Sequence, residues 1–278
     1  MDIQGWKYYN HAAIPTTPPH IEPDLTPIKD GTIWKIDGSP LLARWTTDFD
    51  CGYETNWWYV IKEAPFDIAD VSSKNQKSIR QALRKCYVKR VNFDDHIDSI
   101  YDCYLSAYAK YENADNLLEK KQFIDYCYKI GENIDFWAGF ETESNDLIGF
   151  LIVKVEDIYV ELLIAKFNPK YSNKRVSDAL YYTVLDFYLN NSKKTYVSSG
   201  TRNINHKTKT QEYKIERFGF RKAYCNLFIE YKPQVKLLVK VTYLLKNFLI
   251  KFDGNTLIHQ INSIIKMEEI VRGKNYKG

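Results

Sequence analysis

The sequence predicts an α/β (α+β) fold, a mixed twisted sheet flanked by helices, and three observations lead to this prediction. The chain has 278 residues, of which 45% are hydrophobic, enough to bury a sizeable core. Strand-like alternation and helix-like spacing follow one another along the sequence. Residues 211–223 then read as a helix that ends at Gly219, where a left-handed backbone has no steric cost, and that passes directly into a strand starting at Phe220.

Residues 1–70 are expected to form a β-rich extension that packs on the core. Five prolines lie within residues 15–27, so residues 1 to about 30 are predicted to be an extended lead-in. Alternating patterns and an Asp37-Gly38 turn then predict two or three strands. The strand candidates are residues 32–36, 41–45 and 57–61.

Residues 71–232 are expected to form the core domain. Serine caps and strong helix formers predict a basic helix over residues 72–85, which runs into a strand. Apolar residues at helical spacing predict two further helices, and a meander of three strands follows. These helices are placed at residues 95–111 and 117–129, and the strands at residues 87–91, 136–140, 147–155 and 159–167. A helix containing Ala179 and Leu180, a short strand at residues 195–199 and the junction at Gly219 complete the core.

Residues 233–278 are expected to form a helical appendage. An amphipathic helix is predicted over residues 235–252, and a second helix begins at Leu257. The wide apolar face of the first helix suits packing on the body of the protein or on a second subunit, as in a homodimer. Its lysines also permit peripheral contact with an anionic membrane.

Charge and cysteine content exclude some classes of protein. The net charge of +4 comes from the C-terminal segment, so a nucleic-acid footprint over the whole body is not expected. The five cysteines are scattered, without the paired spacing typical of zinc sites or disulfide exchange, and no metal site is predicted. The first residues lack the pattern of a secretory signal, and no stretch has the length of a membrane span. A reducing, cytoplasmic location is the simplest expectation.

Three segments carry a family resemblance: Asn168-Pro169-Lys170-Tyr171, Asp178-Ala179-Leu180-Tyr181-Tyr182 and the run from Arg217 to Ala223. On these segments, residues 136–231 resemble the GNAT acyltransferase superfamily. From about residue 57, with the basic helix included, the chain resembles the FemAB-like branch of that superfamily. The resemblance covers roughly two thirds of the chain and implies a GNAT-like sheet and transfer of an acyl group.

The resemblance also implies a place for acyl-CoA, with acetyl-CoA as the expected co-substrate. GNAT proteins hold its pyrophosphate on backbone N–H groups at a helix start. The matching cofactor-binding residues are Ser172, Asn173, Lys174, Arg175, Val176 and Ser177. Arg175 stands where the family has its first glycine. The alternative is that Ser172 caps the helix and that Lys174 and Arg175 are solvated.

Catalytic candidates follow from the same resemblance. A strand carboxylate acting through water is often the base, which points to Glu161 first and Glu156 second, unless these side chains simply face solvent. Ile215 stands at the position where the family usually has the tyrosine that acts as general acid. Tyr213 lies nearby on the same helix, where a packing role is the alternative.

The polar loop at residues 200–208 follows a strand end, a usual place for ligands in α/β sheets. Arg202 would bind a carboxylate or phosphate of the acceptor, and His206 could transfer a proton, unless it only forms local hydrogen bonds. Thr208 and Gln211 complete the predicted substrate-binding residues.

Three functions remain open on the sequence. The first is transfer of an acyl group, expected to be acetyl, from acyl-CoA to an amine or hydroxyl of a small metabolite or cell-envelope precursor. The second is aminoacyl transfer from charged tRNA, as in some FemAB-like enzymes. The basic residues that could contact tRNA are Arg80, Arg84, Lys85, Lys89 and Arg90, although a solvated helix face would also account for them. The third is a non-catalytic binding protein of the same fold.

Overall fold

The computed structural model describes residues 1–109, 117–203, 210–249 and 256–273. Contacts divide the chain into two compact units. The first unit comprises residues 1–59, 201–208 and 222–278, and the second comprises residues 60–200 and 209–221. Strand β4, Trp57–Glu63, contains the point of division. The three-part division predicted from the sequence stays a prediction.

The second unit is built on a mixed five-strand arrangement in the order β9-β8-β7-β6-β5. Strands β5 to β8 are antiparallel neighbours, and β8 and β9 are parallel. The strands are β5 Cys86–Val91, β6 Ile134–Glu141, β7 Leu147–Val155, β8 Tyr159–Phe167 and β9 Tyr196–Thr201. The helices are α2 Ser73–Lys85, α3 Ile97–Tyr108, α4 Lys120–Lys129, α5 Val176–Leu185, which a π-helical turn extends, and α6 Thr210–Phe218. Mixed strands flanked by helices confirm the predicted fold class.

Helices cover both faces of this sheet. On one face, α3 and α4 contribute Ile100, Tyr104 and Phe123 to a core that includes Phe136 and Phe150 from the strands. Helix α5 packs on the other face. Strands covered on both faces read as nearly continuous apolar runs, which explains the sequences of β6 and β7.

Glycines on β6 and β7 allow α5 to approach the sheet closely. A Cβ atom at Gly139 would lie 2.5 Å from Cγ2 of Val176 and 3.2 Å from Leu180. Gly149, its partner across the strand pair, is almost as crowded. The backbone of the sheet therefore fixes the position of the α5 N-terminus.

Gly139→Ala is expected to lower the free energy of unfolding by about 1–3 kcal/mol, because the new methyl overpacks the interface between β6 and α5. Chemical denaturation would measure the loss. Val176→Ala removes the group that the methyl meets, so the double variant should lose less stability than the two single variants together. If the stability loss of the double variant equalled the sum of the two single losses, the expected clash between the new methyl and Val176 would be contradicted.

The first unit contains the order β1-β2-β3-β10, in which only β2 and β3 are parallel. The strands are β1 Trp6–Tyr9, β2 Ala12–Pro15, β3 Leu42–Thr47 and β10 Arg221–Tyr231. The extended lead-in predicted for residues 1 to 30 is therefore wrong in part. Asn10 and His11 both adopt positive φ and close a β1-β2 hairpin, and Thr26–Lys29 forms the short helix α1.

The strand predicted over residues 32–36 is wrong, because Thr32–Lys35 is a 3-10 helix. Its start is fixed by Gly31, at a φ of 78°, and by the Asp30 carboxylate, which accepts hydrogen bonds from the Thr32 backbone and hydroxyl. Ile33 and Ile36 are then buried on the same side, at the three-residue period of this helix.

The C-terminal part of the first unit is helical. Helix α7 spans Pro233–Leu244, α8 spans Lys246–Leu249 and α9 spans Thr256–Arg272. The single helix predicted over residues 235–252 is therefore divided at Leu245. No helix in the described ranges is long and apolar enough to cross a lipid bilayer.

Candidate functional site

The parallel strands β8 and β9 separate in the middle of the second unit. Their ladder pairs Tyr159 with Tyr196 and ends where Glu161 meets Ser198, although β8 continues to Phe167. The first two residues of β8 are buried, and the rest are half-exposed. Glu161, the predicted base, thus stands at the point where the strands diverge.

Lys214 lies at this opening and is the least expected feature of the site. It projects from α6, is only 5% exposed, and its ammonium donates a hydrogen bond of 2.6 Å to the Ser199 hydroxyl on β9. The same nitrogen lies 5.4 Å from the centre of the Tyr181 ring. Burial lowers the pKa of Lys214 from 10.5 to about 8. A buried amine with a pKa near neutrality is typical of a catalytic group.

The N-terminus of α5 holds a buried carboxylate from the protein itself. Asp178 is 3% exposed and lies in the first turn, where a negative charge is favourable. Its oxygens accept hydrogen bonds from the hydroxyls of Tyr213, at 2.6 Å, and Ser78, at 3.0 Å. The Arg217 guanidinium lies 3.5 Å away. The Asp178 carboxylate thus adds a buried negative charge to the first turn of α5 and joins this helix to α2 and α6.

The six predicted cofactor-binding residues surround this helix start. Ser172, Asn173 and Lys174 belong to a 3-10 helix, Pro169–Lys174, that Asn168 caps through the backbone N–H of Lys170. Val176 is buried against the sheet, and the Ser177 hydroxyl lies 3.2 Å from the Tyr213 oxygen, to which it can donate because the Tyr213 proton is given to Asp178.

The two cations of this stretch are directed to other partners. The Lys174 ammonium lies 2.6 Å from Oε1 of Glu141. This contact, followed by the backbone hydrogen bond from Ser144, lowers the pKa of Glu141 to about 2. Arg175 takes the left-handed conformation at the N-cap of α5 and donates to the Ser78 hydroxyl. Lys174 is thus held by an acid, whereas Arg175 is exposed and forms no ion pair within the described residues. The buried Asp178 carboxylate close by is unfavourable for a pyrophosphate, and the six cofactor-binding residues stay a prediction.

Tyr213 lies at the same helix start. Its hydroxyl donates to Asp178, and burial, followed by the charge of Asp178, raises its pKa well above the ordinary value. A hydroxyl that holds its proton this firmly positions Asp178. The structure thus places the predicted catalytic tyrosine in a network of hydrogen bonds.

A basic surface lies directly outside this network. Helix α2 packs its buried residues Ser78, Ile79 and Ala82 inward and contains no acidic residue. Its exposed face carries five cations, and none of them forms an ion pair within the described residues. These cations are Lys74, Lys77, Arg80, Arg84 and Lys85.

Arg202, the predicted acceptor ligand, lies in the first unit. Its guanidinium stacks 4.5 Å from the centre of the Trp58 ring, donates to the Asn56 carbonyl oxygen, and has a buried Nε without a partner in the described residues. It borders a pocket of about 300 Å³ that Lys266 also lines. Lys222 lies 4.2 Å from the same Trp58 ring. Glu269 lines the same pocket, so its wall carries both positive and negative charge.

His206 and Thr208 lie outside the described residues. Gln211 is half-buried in the first turn of α6, and Glu156 follows β7. Sequence reasoning missed Lys214, Asp178 and Ser78. Two features of the sequence could have indicated buried polar residues. Lys214 lies four residues before the apolar Phe218, on the same face of α6, and α2 carries Ser78 among its apolar positions.

No family model matches the sequence, and no curated protein matches it. Among solved structures, FemX matches with a TM-score of 0.55 and 9% identity over 77% of this chain and 78% of FemX. L-PGS from Bacillus licheniformis matches with a TM-score of 0.51 and 12% identity over 84% of this chain and 82% of that chain. The glucosamine N-acetyltransferase region of a fungal multi-domain beta-N-acetylglucosaminidase matches at 17% identity and a TM-score of 0.32, over 37% of this chain and 12% of that chain. The predicted GNAT-like fold and its similarity to FemAB-like proteins are confirmed.

Proposed function

We propose that this protein transfers an aminoacyl group from a charged tRNA to an amine of a small metabolite or cell-envelope precursor. The observation that carries the proposal is the acid-free basic face of α2, a helix that is joined to the first turn of α5 by the hydrogen bond between Ser78 and Asp178. A polyanionic donor suits that face. The similarity of fold to FemX supports the same choice, since some FemAB-like enzymes use aminoacyl-tRNA.

The same residues are less suited to binding a thioester donor such as acetyl-CoA. In a GNAT-type site, backbone N–H groups at the start of α5 would bind the CoA pyrophosphate. Here the first turn carries the negative charge of Asp178, Lys174 is paired with Glu141, and the Ser177 hydroxyl is bonded to Tyr213. The adenosine end of a tRNA acceptor stem does not require such a cradle.

The proposed reaction exchanges an ester for an amide. The acceptor amine attacks the ester carbonyl, a tetrahedral oxyanion forms, and the ribose hydroxyl leaves with a proton. Lys214, at the opening between β8 and β9, stabilises the oxyanion through its ammonium, and its pKa of about 8 allows it to give a proton to the leaving oxygen. Glu161 at the divergence of the strands would take the proton from the amine through water.

Binding of tRNA tests the proposal. The logarithm of the affinity should fall steeply with the logarithm of salt concentration. The double variant Arg80→Gln/Arg84→Gln should bind about 10-fold to 100-fold more weakly and should make the salt slope shallower by about 1.5, because two phosphate contacts are lost. Fluorescence anisotropy with a labelled tRNA would measure both quantities.

A matched control is available on α4 of the same unit. Lys121 and Lys129 are exposed, so Lys121→Gln/Lys129→Gln removes the same charge away from α2. This variant should keep most of the affinity. A flat salt response, or an equal loss in both variants, would contradict the proposal. Saturable binding of acetyl-CoA with turnover would instead support the thioester donor.

A further inference from the structure

Helices α7 and α8 carry a row of large apolar side chains that are exposed. The six residues are between 49% and 83% exposed, whereas side chains of this size are usually buried. They are Leu237, Leu238, Val241, Leu244, Leu245 and Phe248, which we call the outer stripe.

The outer stripe is distinct from the face that holds α7 on the protein. Val239 is buried, and with Val235 it packs against Tyr231 and against Ile264 and Met267 of α9. The members of the stripe on α7 follow one another at three-residue and four-residue steps, so they lie on one face of that helix, and Leu245 and Phe248 follow at its C-terminal end. Folding of the first unit therefore does not account for this second apolar face.

The helices that carry the stripe have charged side chains of a single sign. From residue 233 to residue 249 the sequence contains no aspartate or glutamate. Lys236 and Lys246 are paired with Glu230 and Glu269, at 2.9 Å and 2.7 Å. Lys232 and Lys240 form no ion pair within the described residues. An apolar strip beside unpaired lysines is complementary to an anionic lipid surface.

We propose that the outer stripe docks on an anionic membrane, with the apolar side chains inserted at the level of the headgroups and the lysines facing lipid phosphates. A second copy of this chain fits less well. Its outer stripe would bring the same lysines and no acid to the interface, so like charges would meet. The proposal is independent of the transferase function, because it concerns vesicle binding alone.

Flotation with vesicles tests the stripe. The probe is a vesicle of about three parts phosphatidylcholine to one part phosphatidylglycerol. The unmodified protein should float with these vesicles, and Val241→Glu should reduce its partition at least about 10-fold, because a charge enters the headgroup region. Ile21→Glu is the control, since Ile21 is as exposed as Val241, at 50% against 49%, but lies outside the stripe. The Ile21→Glu variant should bind to the vesicles as strongly as the unmodified protein does.

The lysines provide a second test on a variant that leaves the apolar stripe intact. Lys232→Gln/Lys240→Gln should weaken binding to phosphatidylglycerol vesicles several-fold and should leave the weaker binding to pure phosphatidylcholine unchanged. Equal partition of all variants would overturn the proposal. So would a stable dimer in sedimentation that Val241→Glu dissociates and that does not float. Because no transfer is measured, failure here leaves the proposed function untouched.

Discussion

Replacing Lys214 with methionine is expected to stabilise the protein and, at the same time, to abolish transfer. The folded state holds the pKa of this amine at about 8 instead of 10.5, which corresponds to roughly 3 kcal/mol of destabilisation at pH 7. Methionine has a similar length and no charge. After the lost hydrogen bond to Ser199 is subtracted, the free energy of unfolding should rise by about 1–3 kcal/mol.

The gain in stability should depend on pH in a defined direction. Burial depresses the pKa of Lys214, so between about pH 8 and pH 10.5 the unfolded chain binds more protons than the folded one. The stability of the unmodified protein therefore rises with pH across this window. The advantage of Lys214→Met should be complete below pH 8 and should disappear above pH 10.5. Urea denaturation at several pH values would measure it.

Transfer by Lys214→Met should fall about 100-fold or more, as is usual when a group that stabilises an oxyanion is removed. A variant that is more stable and less active cannot owe its loss of activity to unfolding. Lys121→Met, on an exposed lysine, is the control and should change stability by no more than about 0.5 kcal/mol. A stable Lys214→Met variant with full activity would refute the catalytic role.

The sequence predicted the parts of the fold that depend on local pattern. The apolar runs of β6 and β7, the serine cap of α2 and the left-handed Gly219 each specify their elements independently of the rest of the chain. Residues 32–36 were assigned wrongly because Ile33 and Ile36 fit both a strand and a 3-10 helix, and Gly31 decides between them. The β1-β2 hairpin was missed because its turn uses Asn10 and His11 instead of glycine.

The candidate site was less predictable because burial of a charged side chain depends on tertiary packing. A lysine on an amphipathic helix is normally exposed, and only the packing of α6 against β9 places Lys214 beside Ser199. In the same way, Asp178 looks like an ordinary first-turn acid until Ser78, more than ninety residues earlier in the chain, donates to it. The family resemblance predicted a cofactor site at the start of α5, and it gave no indication of the buried carboxylate network that lies there.

Removing the Asp178 carboxylate should therefore destabilise the second unit strongly. Asp178→Ala leaves Tyr213, Ser78 and Arg217 facing a buried site without an acceptor, and breaking a buried charged network of this kind costs about 3–5 kcal/mol. Asp178→Asn keeps the shape and one acceptor oxygen, so it should cost less, about 1–3 kcal/mol. Chemical denaturation would measure both losses.

A double-mutant cycle separates the charge contact from general damage. Arg217→Met alone should cost less than Asp178→Ala, and the double variant should lose at least about 0.5 kcal/mol less than the sum, because the two side chains share one interaction. The same variants test the donor. If the start of α5 were a pyrophosphate site, Asp178→Asn would remove a repulsive charge and strengthen acetyl-CoA binding. We expect stability to fall and no binding of acetyl-CoA to appear, because the Asp178 carboxylate joins α5 to Ser78 of α2 and to Tyr213 and Arg217 of α6.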